Sequence, residues 1–305
     1  LTILLTIFLN NLLPVFLVIG VGALLGVTLR PDVKAVSRTT FYALTPCMIF
    51  SGLTNTPLSG AQAGRVALFA VSATLFTAAA AYLIASLLGW RGKSRRALVL
   101  PVLVINTGNF GLSVVLFAFG PDAQARAMIY FVTTAVMAAS VGVAFAAGGG
   151  SLRVVAANLA RIPLLWAAVS ALTLGGLGIR VPDLLMRPIA LLGSAAVPLM
   201  LLILGLQLAR SAQRLRGSVG SILLASALRL LVAPVLAIPL ALATGIEGLT
   251  YQACMLEASM PSGVTSTVIS LEYDLEPDIV TGTVFFSTLC SAFTLTVVIS
   301  LIRAI

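Results

Sequence analysis

Asn106-Thr107-Gly108-Asn109-Phe110-Gly111 and Met260-Pro261-Ser262-Gly263-Val264-Thr265-Ser266 are two polar, helix-breaking clusters set inside otherwise apolar segments, roughly half a chain apart. In hydrocarbon every backbone N–H and C=O must find a partner within the protein. Unwound backbone is tolerated there only where it is buried in protein or lines a water-filled cavity. Interrupted hydrophobic segments at corresponding places in two halves of a chain point to a transporter with its binding site at the breaks.

The surrounding sequence fixes the environment. Of 305 residues, 60% are hydrophobic and 9% are charged, against roughly 25% charged in a soluble domain. Uncharged stretches follow one another at 1–29, 39–64, 66–90, 97–121, 127–152, 188–209 and 279–302, each long enough for a span of about 20 residues. The reading is an all-α membrane protein with ten transmembrane helices at 9–29, 36–57, 65–89, 97–119, 124–147, 161–179, 184–208, 222–244, 249–271 and 279–302. The breaks fall in the fourth and ninth, which are expected to cross. Residues 1–11 lack a basic region and a small-residue cleavage site, so they read as the run into the first span rather than a signal peptide.

The net charge of +9 does not point to nucleic acid, because the basic residues sit in short loops between spans. Counted on alternate sides, Arg30, Lys34, Arg38, Arg91, Lys93, Arg95, Arg96, Arg153, Arg161, Arg210, Arg214 and Arg216 share one side. Arg65, Arg126, Arg180, Arg187 and Arg303 share the other. The positive-inside rule makes the first side cytoplasmic and puts both termini outside, with the plasma (inner) membrane as the expected location. Arg229 falls within the eighth segment. It is read first as a side chain snorkelling to the cytoplasmic interface, with a substrate-facing cation as the other reading. Cys47, Cys254 and Cys290 all lie in apolar segments and read as small core residues without disulfide or metal spacing. The chain has no histidine, which removes His-based metal sites and His general bases. No G-x-S-x-G elbow or intramembrane Asp pair is present either, so an enzyme is not expected.

An offset of about 152 residues recovers an internal repeat: Gly26 with Gly178, Pro46 with Pro198, Gly111 with Gly263 and Ser113 with Thr265. Pro121-Asp122 recurs as Pro277-Asp278 at a slightly longer offset. The halves are 1–150 and 151–305, five spans each. An odd number of spans inserts the second half upside down, which is the inverted-repeat design of many secondary transporters. Pro46 and Pro198, at matching places in spans two and seven, read as hinge or kink positions. Gly20, Gly22, Gly26, Gly175, Gly176 and Gly178 read as close helix packing.

At the breaks, N-terminal half-helix ends carry partial positive charge and free N–H groups that suit a carboxylate, while C-terminal ends offer carbonyls that suit a cation. Asn106, Thr107, Gly108, Asn109, Pro261, Ser262, Gly263 and Thr265 are therefore the candidate substrate-binding residues. Glu257 is the acidic residue well inside a span, one turn before Pro261. Such a group needs a proton or a bound cation to offset its burial, so Glu257, with Ser266, is the candidate site of H+ or Na+ coupling. The acidic run Glu272, Asp274, Glu276 and Asp278 reads as a solvated loop at the outer end.

These residues also carry a resemblance. Met255-Leu-Glu-Ala-Ser-Met-Pro-Ser-Gly263, Glu272-Tyr-Asp-Leu-Glu-Pro-Asp-Ile-Val280 and Phe285-Phe-Ser-Thr-Leu289 resemble the C-terminal repeat of the auxin efflux carrier family, and Asn106 to Leu112 resembles its fourth-span signature. The resemblance implies a ten-helix fold related to bile-acid:sodium symporters, with a scaffold bundle, a transport bundle and elevator-like alternating access. It implies an anionic substrate at the crossing and a homodimer through the scaffold. Against the plant exporters, the chain lacks a long loop between spans five and six. Ile105 replaces their crossover proline, and Glu257 replaces an amide where the bile-acid symporters carry Glu. The expected function is secondary transport of a small organic anion across the lipid bilayer, without cofactor, metal or nucleic acid. A sodium-coupled bile-acid-type symporter is the alternative, and a channel or transporter-like sensor a further one.

Overall fold

A computed structural model describes residues 2–56, 58–149, 159–212 and 217–304. Twelve helices are seen among them. They are α1 (Thr2–Thr28), α2 (residues 33–54), α3 (Gly60–Leu87), α4 (Gly92–Leu103), α5 (Thr107–Phe119), α6 (Pro121–Ala147), α7 (Pro163–Gly176), α8 (Asp183–Ser211), α9 (Val219–Thr244), α10 (Gly248–Ala258), α11 (Val264–Glu272) and α12 (Pro277–Ala304). Six of these, α1, α3, α6, α8, α9 and α12, are long and apolar enough to cross a membrane. The protein is an all-α, multi-pass membrane protein. Boundaries fall near the expected ones, except that the first helix starts at Thr2 rather than residue 9.

Large apolar side chains such as Leu87, Leu184, Leu242 and Phe293 face outward, as a lipid-facing surface requires. The interior is rich in hydroxyls. Ser259, Thr283, Ser287, Thr288 and Ser291 are buried, and each donates to a carbonyl three or four residues back in its own chain. That internal satisfaction lets small polar residues line helix contacts without orphaned donors.

Proline shapes several helices. Pro14, Pro46 and Pro234 each follow a wide π-helical turn, at Phe8–Leu12, Thr40–Leu44 and Leu228–Val232. Proline has no N–H, and its ring clashes with the carbonyl four residues back. The wider turn re-spaces the ladder around that gap. Pro198 follows an interruption at Ala195 that divides α8 into Asp183–Ser194 and Ala196–Ala212. Both expected kink positions are therefore irregular.

The helices pack as two groups. One joins α1 to α8, and α2 to α7 and the first part of α8. The other interlocks α3, α4, α5, α6, α9, α10, α11 and α12. Where α1 meets α8, the backbones nearly touch: a Cβ on Gly22 would lie 2.8 Å from the Leu202 Cα. Gly26 sits against Ala209 and Leu206 in the same seam. The packing role expected for the other glycines does not hold. Gly20, Gly175 and Gly176 face open space, and Gly178 has φ +67 in the turn that closes α7, a backbone conformation that favours glycine.

Contacts between turns sort them onto two faces. On one, Arg210 donates to the Pro31 carbonyl at 3.0 Å and Arg96 to the Ala146 carbonyl at 2.7 Å. On the other, Arg65 reaches the Gly245 carbonyl at 3.2 Å and Arg126 the Thr250 hydroxyl at 3.2 Å. This follows the alternation of basic turns, although Arg153, Arg214 and Arg216 lie outside the described residues. The acidic run is on the opposite face from the one expected. Lys93 pairs with Asp274 at 2.8 Å, and the Ser94 hydroxyl donates to Glu276, so the turn between α11 and α12 belongs to the basic face. The opposite charges attract across the two turns. Lys93 holds the Asp274 carboxyl below its ordinary range; both side chains are largely exposed, so the pair adds little stability.

Gly111 and Gly263, paired in the sequence, take unlike places: Gly263 is the cap of α11, whereas Gly111 lies inside α5.

The α1–α8 seam makes a stability prediction. Gly22→Leu should overpack it and lower the melting temperature by several degrees, at a cost of about 1–3 kcal/mol. Gly20→Leu, two residues away in open space, should melt like the parent. Equal melting of the two variants in a detergent thermal-unfolding assay would refute the close approach.

Candidate functional site at the crossing of two broken helices

α4 ends at Leu103, where the chain becomes extended at Val104 (φ −96, ψ 105). α10 ends at Ala258, and the chain is extended again at Gly263 (φ −84, ψ 141). These extended segments run antiparallel and pair, with Ile105 opposite Ser262. The Asn106 N–H donates to the Pro261 carbonyl at 2.9 Å, and the Gly263 N–H donates to the Val104 carbonyl at 2.7 Å. The Ser262 N–H is taken by the Ser287 hydroxyl at 3.2 Å. Pro261 has no N–H to satisfy. A Cβ on Gly263 would lie 2.8 Å from the Ile105 carbonyl oxygen, so only glycine permits this approach.

Beyond the pairing, α5 and α11 begin. Their first residues, Thr107, Gly108, Asn109, Val264 and Thr265, together with Asn106 and Gly263, line one cavity of about 560 Å³. Neither helix start carries a side-chain cap; the Ser266 N–H turns back to the Gly263 carbonyl at 2.9 Å, and the N–H groups before it are those an uncapped helix start offers a ligand. The amide nitrogen of Asn106 is buried and unpartnered. Thr107 bonds to Thr134 of α6, oxygen to oxygen, at 2.8 Å. The remaining wall comes from α2 (Arg38, Tyr42, Thr45), α6 (Phe131) and α8 (Met200, Gln207). The cavity thus lies on the seam between the two helix groups. Among the described residues its wall contains no carboxylate, and its one charged side chain is Arg38, exposed and on the basic face.

Of the residues singled out by sequence, Asn106, Thr107, Gly108, Asn109, Gly263 and Thr265 line the cavity. Pro261 and Ser262 lie behind it, in the pairing itself. Ser266 is buried outside the wall, its hydroxyl donating to the Gly263 carbonyl at 2.6 Å. Glu257 is 0% exposed, also outside the wall, and neither carboxyl oxygen has a hydrogen-bond partner among the described residues. It abuts Gly111, where an added Cβ would lie 2.8 Å from the carboxyl carbon. Tyr130 of α6 and Cys254 of α10 are its ionisable neighbours.

Arg229 corrects both sequence readings. It is 1% exposed, so it does not snorkel, and it is absent from the wall of the cavity at the crossing. Its Nε donates to the Met260 carbonyl at 2.9 Å, one terminal nitrogen donates to the Ala258 carbonyl, and the other reaches the Val102 carbonyl at 3.4 Å. These carbonyls belong to the C-terminal ends of α4 and α10, which lack helical partners and carry partial negative charge. The π-helical turn at Leu228–Val232 carries the side chain. The signal for it in the sequence is an arginine in an apolar run five residues before a proline. Arg38, by its sequence context alone, reads only as a loop charge. The crossing therefore sorts its ends, positive to the cavity and negative to Arg229.

The chain is similar to known membrane transport proteins. The membrane transport protein family model matches residues 149–299. An uncharacterized transporter of Methanothermobacter thermautotrophicus is 30% identical over 276 residues, covering 89% of each chain. One of Methanocaldococcus jannaschii is 29% identical over 198 residues, 63% of each. Auxin efflux carrier component 1 of Arabidopsis thaliana is 27% identical over 111 residues, 36% of this chain and 18% of its own. With a relative this similar along most of its length, the chain belongs to the membrane transport protein family related to the auxin efflux carriers, as a transporter and not an enzyme.

Proposed function

We propose that the protein is a secondary transporter of small organic anions, carboxylates above all, bound where α5 and α11 begin. The observation that carries this is the meeting of two uncapped helix N-termini and the unpaired Asn106 amide in one cavity whose wall holds Arg38 and no carboxylate. Each helix start presents about half a positive charge and free N–H groups, so the site favours a carboxylate and offers nothing to a cation. Asn106, Thr107, Gly108, Asn109, Gly263 and Thr265 contact the anion. Pro261 and Ser262 hold the crossing behind it.

In this reading α4 with α5, and α10 with α11, each form one interrupted span. The twelve helices make ten spans in two inverted repeats of five, 1–150 and 151–305. The α1, α2, α7 and α8 group is the scaffold, and the remaining helices carry the site past it, with Pro46 and Pro198 absorbing bending. The cavity's position on the seam between groups supports this elevator motion. The basic face is cytoplasmic in the inner membrane, both termini lie outside, and Arg38 guards a cytoplasmic mouth. Glu257, buried without a partner, takes the coupling proton or cation.

Four outcomes test these assignments. Reconstituted protein should show saturable counterflow of labelled indole-3-acetate, malate or malonate; linear, non-saturating flux of all three would indicate a channel. Asn106→Ala should raise the half-saturation constant about 10-fold or more, the loss of one hydrogen bond to a charged group, with melting preserved; an unchanged constant removes Asn106 from the site. Arg38→Gln should raise it a few-fold at low salt and hardly at all at high salt, because an exposed charge acts by screened attraction. Glu257→Gln should abolish whatever pH or cation dependence the parent shows, and an identical dependence rules out its coupling role.

A further inference from the structure

The guanidinium of Arg229 has no carboxylate partner among the described residues, and all of its hydrogen bonds go to main-chain oxygens at the ends of two half-helices: Val102 of α4, and Ala258 and Met260 around the end of α10. A cluster of carbonyls at half-helix C-termini is where a transporter of broken helices holds a coupling cation. Here that place is taken. A guanidinium stays charged at any accessible pH, and its fixed fork suits several carbonyls at once. Tethered through α9, it cannot leave with the substrate.

We propose that Arg229 is a resident cation at the crossing: it occupies the oxygen site that an alkali metal ion would fill, so the crossing is held without bound sodium and transport does not depend on it. The proposal favours a proton over a metal ion at Glu257. It rests on the transporter reading only for its consequence in uptake. The carbonyl site itself can be tested with no organic anion present, so failed counterflow would overturn the transporter reading and leave the outcome at Arg229 standing.

The experiment measures thermal unfolding of the detergent-purified full chain in sodium chloride, potassium chloride and choline chloride at one ionic strength. The parent should melt at the same temperature in all three. A saturable, sodium-specific rise in its melting temperature overturns the proposal, because the site would then still admit a metal ion. Arg229→Ala should melt markedly lower in choline chloride and recover part of that loss with millimolar guanidinium or with sodium. Recovery with neither shows that Arg229 is a packing anchor rather than a stand-in for an ion, and unaltered melting shows that it holds nothing. Should Arg229→Ala not fold, Arg229→Lys retains the charge without the fork. It should melt below the parent and stay indifferent to sodium, and a sodium-specific rise there or in the parent refutes the proposal equally.

Discussion

Two main-chain hydrogen bonds, Asn106 N–H to the Pro261 carbonyl and Gly263 N–H to the Val104 carbonyl, are what the rest of this structure depends on. Breaking a helix at membrane depth leaves donors and acceptors with no water to receive them, each costing several kcal/mol. Two breaks placed against each other relieve part of that cost reciprocally, which neither could do alone. The neighbours follow from this constraint. Position 263 must lack a Cβ because the Ile105 carbonyl approaches it, and position 261 can be proline because only its carbonyl is used. Ser287 of α12 takes the Ser262 N–H that the pairing leaves over.

The same pairing decides where the remaining charge goes. Antiparallel crossing sets two helix N-termini on one side and two C-termini on the other, so the partial charges add instead of cancelling. Two half-charges of one sign face the cavity, with Arg38 at its wall, and the two of opposite sign face Arg229. The protein supplies the counter-charge for the carbonyl ends from its own chain and leaves the positive ends for a ligand. This asymmetry is why the cavity suits an anion even though no cationic side chain lies deep within it. It also keeps the two buried ionisable groups apart. Arg229 is spent on carbonyls, and Glu257 is left beside Gly111 without a partner.

Much of this was legible in the sequence because glycine, proline and asparagine crowded together inside an apolar segment weaken a helix wherever they fall. The lining by Asn106 to Asn109 and by Gly263 and Thr265 came directly from that pattern. Arg229 was not legible in the same way. Its partners are carbonyls 29, 31 and 127 residues away, and carbonyls carry no side-chain signature. The place of the acidic turn rests on one pair, Lys93 with Asp274, residues 181 positions apart, which local sequence does not link. Glycine spacing misled in both directions. Gly22 lies in a tight seam while Gly20 lies in the open, a difference set by what stands opposite and not by the helix itself.

The geometry also bears on Ile105, where the family resemblance leads one to expect a proline at the crossing. In an antiparallel pair, opposing residues alternate between those that exchange hydrogen bonds and those that do not. Here the bonds run from residue 106 to 261 and from 263 to 104, so Ile105 and Ser262 form a pair that exchanges none. The N–H of residue 105 points away from its partner strand, and a proline there would take nothing from the pairing. The crossing demands extended backbone at Val104, which a proline at 105 would favour by disfavouring helix at the residue before it, while isoleucine, being β-branched, favours extended backbone at its own position. The strict requirements sit one residue to either side, at the Val104 carbonyl and the Asn106 N–H. Either residue can therefore support the same crossing, with the starts of α5 and α11 left where they are.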